Sequence, residues 1–175
     1  ATLRSDATSR FSKENRWGIF PSAALAWKIT EEPWMEGVKD VMNEWKFRAG
    51  WGVTGQQDIG GYFDYLAAYK ESTQGSFYPS INGEGGNVST LYPMGYNRNL
   101  KWEETTTWNA GFDFGFLKNR ITAAVDYYFR ESKDLLSYVS VPAGSATTNF
   151  LNQNIGTLEN QGVEFNITAR PIVKN

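Results

Sequence analysis

No cysteine and no histidine occur among the 175 residues. Their absence removes thiol nucleophiles, disulfides, imidazole bases, haem ligation and the common zinc-ligand sets, leaving carboxylates, hydroxyls, lysine and arginine. A protein that is not an enzyme and uses no metal or cofactor is therefore expected. Charge of one sign is also lacking: 17 basic and 19 acidic side chains leave a formal charge of -2. Such a balance creates no field to gather nucleic acid, so no nucleic-acid partner is expected. Long apolar runs are missing as well. Hydrophobic residues make up 41% and the mean hydropathy is -0.48, and no stretch approaches the roughly 18 consecutive apolar residues of a membrane helix. The start, Ala1-Thr2-Leu3-Arg4-Ser5-Asp6, lacks the basic-then-apolar order of a secretory signal.

What is abundant is aromatic: 7 Trp, 9 Tyr and 11 Phe, accompanied by 17 Gly. These residues fall in period-two alternation, the pattern of strands with two unlike faces. In the stretch 45–53, Trp45, Phe47, Ala49, Trp51 and Val53 alternate with Lys46, Arg48, Gly50 and Gly52. The stretch 105–116 sets Trp108, Ala110, Phe112, Phe114 and Phe116 against Thr107, Asn109, Gly111, Asp113 and Gly115. Residues 120–130 and 162–170 repeat the pattern, residues 17–30 do so with an irregularity at Pro21, and Ala1 to Ser5 read as the tail of a sixth strand.

Between Phe116 and Ile121, Leu117-Lys118-Asn119-Arg120 reads as a two-residue hairpin at Lys118-Asn119, since Asn tolerates positive φ. That turn predicts Phe116 opposite Ile121, Phe112 opposite Val125 and Trp108 opposite Phe129, all on the apolar face. Other connections differ. Residues 54–104 and 131–160 are long, with Gly61 to Tyr69 a potential strand extension, while Glu31 to Asn43 have the spacing of one short amphipathic helix weakened by Gly37.

Two architectures fit: a soluble sandwich, such as a carbohydrate-binding module, and an antiparallel transmembrane β-barrel. Aromatics near the strand ends, polar opposite faces and alternation of short turns with long loops favour the barrel. Six strands are too few to close one, so the chain is expected to be part of a larger barrel. On this reading Trp45, Phe47, Trp51, Trp108, Phe112, Phe114, Phe116, Ile121, Val125, Tyr127, Phe129, Val163, Phe165 and Ile167 face lipid. Lys46, Arg48, Asp113, Arg120, Asp126, Arg130 and Glu164 face the lumen, either as a salt-bridged wall or as contacts on the transport path.

Specific blocks then resemble the SusC/RagA-type TonB-linked outer-membrane transporters of Bacteroidetes. They include Trp17-Gly18-Ile19-Phe20-Pro21-Ser22, Lys46-Phe47-Arg48-Ala49-Gly50-Trp51-Gly52-Val53-Thr54-Gly55, Asn99-Leu100-Lys101-Trp102-Glu103, Gly111-Phe112-Asp113-Phe114-Gly115-Phe116 and Asn160-Gln161-Gly162-Val163-Glu164-Phe165. The resemblance spans nearly the whole chain except about Tyr69 to Pro93. It implies an all-β fold: six strands of the C-terminal half of a 22-stranded barrel, multi-pass in the outer membrane and in contact with its lipid. It also implies import of glycans or peptides, a SusD-type surface lipoprotein, and TonB acting through parts not in this chain. No plug, TonB box or barrel-closing strand is recognisable.

With tight turns periplasmic, the long loops face outward. Tyr62, Phe63, Tyr65, Tyr69, Phe77, Tyr78, Tyr92, Tyr96 and Trp102 are then candidate contacts for ligand or lipoprotein, since aromatics offer large contact area at small entropic cost. The alternative is that they pack the loops together. Asn82-Gly83-Glu84-Gly85-Gly86-Asn87 lacks the acidic spacing of a calcium loop. Glu103 with Glu104, and Asp126 with Glu131, read as solvated wall carboxylates rather than a glycosidase pair.

Overall fold

The computed structural model describes residues 1–72, 77–79, 87–142, 144 and 148–170. In chain order its strands are β1 (Thr2–Ala7), β2 (Trp17–Lys28), β3 (Met42–Gln56), β4 (Tyr69–Glu71), β5 (Phe77–Pro79), β6 (Asn87–Ser89), β7 (Leu91–Pro93), β8 (Glu103–Phe116), β9 (Ile121–Lys133), β10 (Leu136–Ser140), β11 (Phe150–Asn154) and β12 (Thr157–Ala169). Six of them form one antiparallel sheet in the order β1-β2-β3-β8-β9-β12. β10-β11, β4-β7 and β5-β6 are two-stranded ribbons within the connections. Among the described residues no second layer packs on the large sheet.

Alternation fixes the rows across this sheet, because a slip of one residue would turn every aromatic to the polar side. Trp27, Phe47, Phe112, Val125 and Phe165 are successive partners, as are Ala23, Trp51, Trp108, Phe129 and Gln161. Phe47 and Phe112 rings lie 5.1 Å apart, and Trp51 and Trp108 rings 5.7 Å. Such cross-strand aromatic pairs are the unit of sheet stabilisation. The expected hairpin register holds at Phe116-Ile121, Phe112-Val125 and Trp108-Phe129. Its turn places Leu117, Lys118 and Asn119 at φ of 54°, 58° and 59°, one residue more than Lys118-Asn119 alone.

Four expectations change. The stretch 31–43 is not one helix: it forms two 3₁₀ turns, Ile29–Glu31 and Pro33–Val38, and is already extended at Met42. No side chain caps the second turn, Trp34, Val38 and Val41 stay exposed while Met35 is buried, and Val41 O accepts a 3.0 Å bond from Leu117 N. Lacking a cap and an apolar face to bury, the segment gains more from pairing than from coiling. Gly61 to Tyr69 turn rather than extend, with Gly60 and Phe63 at φ of 74° and 64°. β9 and β12 run further outward than the alternation suggested, which shortens the last long loop to 134–156 and leaves room in it for β10-β11. Arg120, expected on the polar face, lies in the turn before β9, where its N–H meets Leu117 O.

Loops 8–16, 57–102 and 134–156 emerge at one end of the sheet, and the 3₁₀ connection and the 117–120 turn at the other. The buried apolar cluster sits at the long-loop end. Phe11 and Leu100 are fully buried, Phe20 and Trp102 nearly so, with Val53, Ile59 and Leu136 against them. Phe20 belongs there because it turns away from the exposed Trp17 and Ile19 of its own strand, and its ring fills the space over Gly18 and Gly55.

Candidate functional site

Three connections are bound into one body at the long-loop end. Phe11 and Phe20 each meet Trp102 edge-on, at 5.8 and 5.3 Å between ring centroids. The Trp102 indole N–H donates to Arg16 O at 3.2 Å, and Asn15 Nδ2 donates to Leu100 O at 3.2 Å. These contacts tie loop 8–16 to the end of loop 57–102. Arg10 adds a second tie: its guanidinium donates to Asp58 Oδ1 at 2.6 Å and lies 4.5 Å from the Tyr62 ring centroid. The Gly60 N–H and then Arg10 hold the Asp58 carboxyl below its ordinary range, while the bond to Asp58 raises the Arg10 guanidinium.

Loops 57–102 and 134–156 are stitched together by asparagines, whose amides both donate and accept. Asn154 Oδ1 accepts from Lys101 N at 3.0 Å, and its Nδ2 donates to Lys101 O and Asp134 O at 2.9 Å each. Asn97 Nδ2 donates to Asn152 O at 3.2 Å, and Asn152 Nδ2 to Asp64 Oδ2 at 2.6 Å. Lys101 and Asp134 form an ion pair at 2.7 Å. Between the two loops lies a concavity of about 450 Å³, walled by Tyr96, Asn99, Lys101, Asp134 and Gln153. An aromatic face, amides and an internally neutralised ion pair suit a polar ligand rich in hydroxyls or amides.

The aromatic candidates are scattered over this body. Tyr62 lies under Arg10, Phe63 and Tyr65 rings are 6.4 Å apart, Tyr69 and Tyr92 are exposed on the paired β4 and β7, and Tyr96 walls the concavity. Phe77 and Tyr78 lie on β5, opposite Ser89 and Val88, but their side chains fall outside the described residues, as do residues 82–86. Trp102 is a correction: at 7% exposure it is a core residue, not a contact open to solvent. Sequence reading missed Tyr138 and Phe150, whose exposed rings stack at 5.5 Å on the β10-β11 hairpin. The short alternation of Leu136-Ser137-Tyr138-Val139-Ser140 was the available signal.

On the polar face, Arg48 is a hub across three strands. Its Nε donates to Asp113 Oδ2 at 2.8 Å, and its Nη2 to Asp113 Oδ1 at 2.8 Å and Asp126 Oδ1 at 2.9 Å. Gly111 lies directly between Arg48 and Asp126 in the register, and any Cβ there would overlap the Asp126 carboxylate. Lys46 stands opposite Asp113, Glu164 opposite Asp126, and Arg130 between Thr107 and Asn160. With side-chain exposures of 38% for Arg48, 26% for Asp113 and 32% for Asp126, the network is partly hydrated. Among the described residues no cluster of three or more acidic groups could hold a metal ion.

A single six-stranded antiparallel sheet with an aromatic face, a charged face, a tight turn and a 3₁₀ connection at one end and a loop body at the other is the wall of a transmembrane β-barrel. The family model described as TonB dependent receptor-like, beta-barrel matches residues 1–171, and the chain belongs to that family. It is 52% identical over 98% of its length to the TonB-dependent receptor SusC of Bacteroides thetaiotaomicron, covering 17% of that protein. Over 98% of its length it is 38% identical to the TonB-dependent receptor P39 of Formosa agariphila, covering 15% of it. The solved RagAB peptide transporter superposes on 99% of the chain with a TM-score of 0.79 at 26% identity, the chain spanning 18% of that structure. The chain thus spans less than a fifth of the length of these relatives.

Proposed function

We propose that this chain forms a sector of wall and outward mouth in an outer-membrane active transporter that imports glycans or peptides with energy delivered through TonB. The aromatic rows, including Trp51, Phe112 and Phe165, face lipid, and Arg48, Asp113, Asp126, Arg130 and Glu164 face the water-filled lumen. A SusD-type surface lipoprotein meets the outward loops. TonB acts through parts of the receptor outside this chain. The observation that carries the reading is the junction of a two-faced wall with a loop body, tied together through Trp102 and Asn154 and bordering a polar concavity. The amides of Asn99 and Gln153 line that concavity and can hydrogen-bond a ligand.

Uptake of labelled oligosaccharides and labelled peptides by cells carrying the full-length receptor tests this. Uptake should vanish when either the receptor or TonB is deleted. Removing the concavity contacts in a Tyr96→Ala/Gln153→Ala double variant should weaken apparent affinity for the imported class by about two- to tenfold per lost contact. Uptake that persists without TonB would refute active import.

A further inference from the structure

Arg48 and Arg130 stand on the same face of the sheet in unlike company. Arg48 bonds two aspartates, whereas Arg130 sits between Thr107 and Asn160 and, among the described residues, makes no ion pair or hydrogen bond. The row two residues outward holds Thr54, Thr105, Ser132 and Leu158, and the row two residues inward Asn109, Tyr128 and Gly162. None of these is acidic. Asp126 and Glu164 lie four residues inward, about 13 Å of strand away, and Asp126 already holds Arg48. Glu131 alternates to the other face, where it pairs with Lys133 at 3.0 Å, and Glu103 accepts from Leu136 N at 3.0 Å. Around Arg130 the wall is concave: a hollow of about 460 Å³ is lined by Thr54, Thr105, Thr107, Ser132, Asn160 and Arg130, with Leu158 its one wholly apolar side chain. We propose that this hollow binds the carboxylate of an acidic sugar in the imported molecule. The inference rests on the charged face lining the lumen, and it deepens the import reading by naming a substrate class, oligosaccharides that contain uronic acid.

The lining selects that class. A planar guanidinium offers paired donors that match the two oxygens of a carboxylate. The hydroxyls around it both donate and accept: Thr105 Oγ1 and Ser132 Oγ, 2.7 Å apart, share one proton between them and keep the other for a ligand. A sugar acid brings the matching set, one carboxylate among several hydroxyls. An acidic peptide brings apolar side chains as well, and Leu158 alone gives them little to pack against. Position agrees with the chemistry. Ser132 lies two residues before Asp134, which walls the concavity of the loop body, so along β9 the hollow comes directly beneath that concavity. A molecule moving inward from the mouth meets the Arg130 guanidinium before it reaches the neutralised Arg48 hub.

Calorimetric titration of the purified full-length receptor with trigalacturonate tests the site, with the fully methyl-esterified sugar as the uncharged control and triglutamate as the acidic peptide. Wild-type receptor should bind the acid at least about tenfold more tightly than the ester. Arg130→Gln should erase that preference, and Arg130→Lys should restore part of it, since an ammonium supplies charge without the paired donors. Lys133→Gln removes a cation from the other face and should leave the preference intact. Folding of each variant is checked by heat-modifiable mobility. No binding of the acid by wild type, equal affinity for acid and ester, or a preference that survives Arg130→Gln overturns the proposal. Triglutamate held through Arg130 more tightly than trigalacturonate also overturns it, in favour of an acidic peptide. TonB-dependent uptake of a labelled oligosaccharide or peptide that persists alongside any of these results defeats the site alone and leaves the transporter reading standing.

Discussion

Replacing Phe112 with arginine is expected to cost the folded barrel about 2–4 kcal/mol, the largest effect of any single change on the wall. From Trp108 to Phe116 the aromatic face of β8 spans nine residues, and Phe112 is its midpoint. A tilted strand crosses the hydrocarbon in about 9 to 11 residues, so the proposed orientation sets Phe112 at the greatest depth. Its ring contacts Phe47 at 5.1 Å and Phe114 at 6.1 Å, which leaves an arginine no polar partner on that face. The next residue gives the contrast. Asp113 points the other way, and its ion pair with Arg48 is partly exposed. Asp113→Asn should therefore cost only about 0–1 kcal/mol, since Arg48 retains Asp126. Urea unfolding of the full-length receptor in lipid vesicles measures both. Equal tolerance at the two positions would argue against a membrane wall.

Trp102→Ala is expected to cost about 3–5 kcal/mol in the outward body, the range for emptying a buried tryptophan site. The indole fills the junction of three loops, meets Phe11 and Phe20 edge-on, and donates to the Arg16 carbonyl. Truncation leaves a cavity and removes that bond, while the Arg16 carbonyl keeps the one from Thr8 N at 3.1 Å. Because the sheet below is held by its own ladder, loosening should stay local. Hydrogen exchange on the full-length receptor should then rise in loops 8–16 and 57–102 with little change in β8 or β9. Unchanged exchange in both loops would mean that Trp102 does not bind them together.

The wall was legible because its information is local. Period two and one tight turn fix which side of β8 and β9 carries Trp108, Phe112, Val125 and Phe129, and every expected pair across that hairpin occurs. Thr157 to Gln161 carry no alternation, so the outer part of β12 is set instead by pairing with Glu131 to Lys133 and Phe129. The stretch 31–43 reads as helix because spacing alone cannot weigh a missing cap against the Leu117 N–H that waits for the Val41 carbonyl. The loop body was the least legible part. Asn154 bridges Lys101 and Asp134 across 53 and 20 residues, and nothing in residue type separates a structural asparagine from an exposed one. Likewise Trp102 and Tyr96 are both loop aromatics, and only the packing of Phe11 and Leu100 tells the core residue from the open one.

The central claim is that one face of this sheet meets lipid and the other water. The chain has no cysteine, so single cysteines can be introduced along β8 without background from this segment. Labelling positions 107 to 115 one at a time in the full-length receptor, with a water-soluble maleimide after blocking from a lipid-soluble one, measures the claim directly. Strict alternation is expected. Thr107, Asn109 and Asp113 positions should take the water-soluble reagent, and Trp108, Ala110, Phe112 and Phe114 positions only the lipid-soluble one, position 111 being left as glycine because a Cβ there meets Asp126. Labelling without a period of two, or with the two sets reversed, would contradict it.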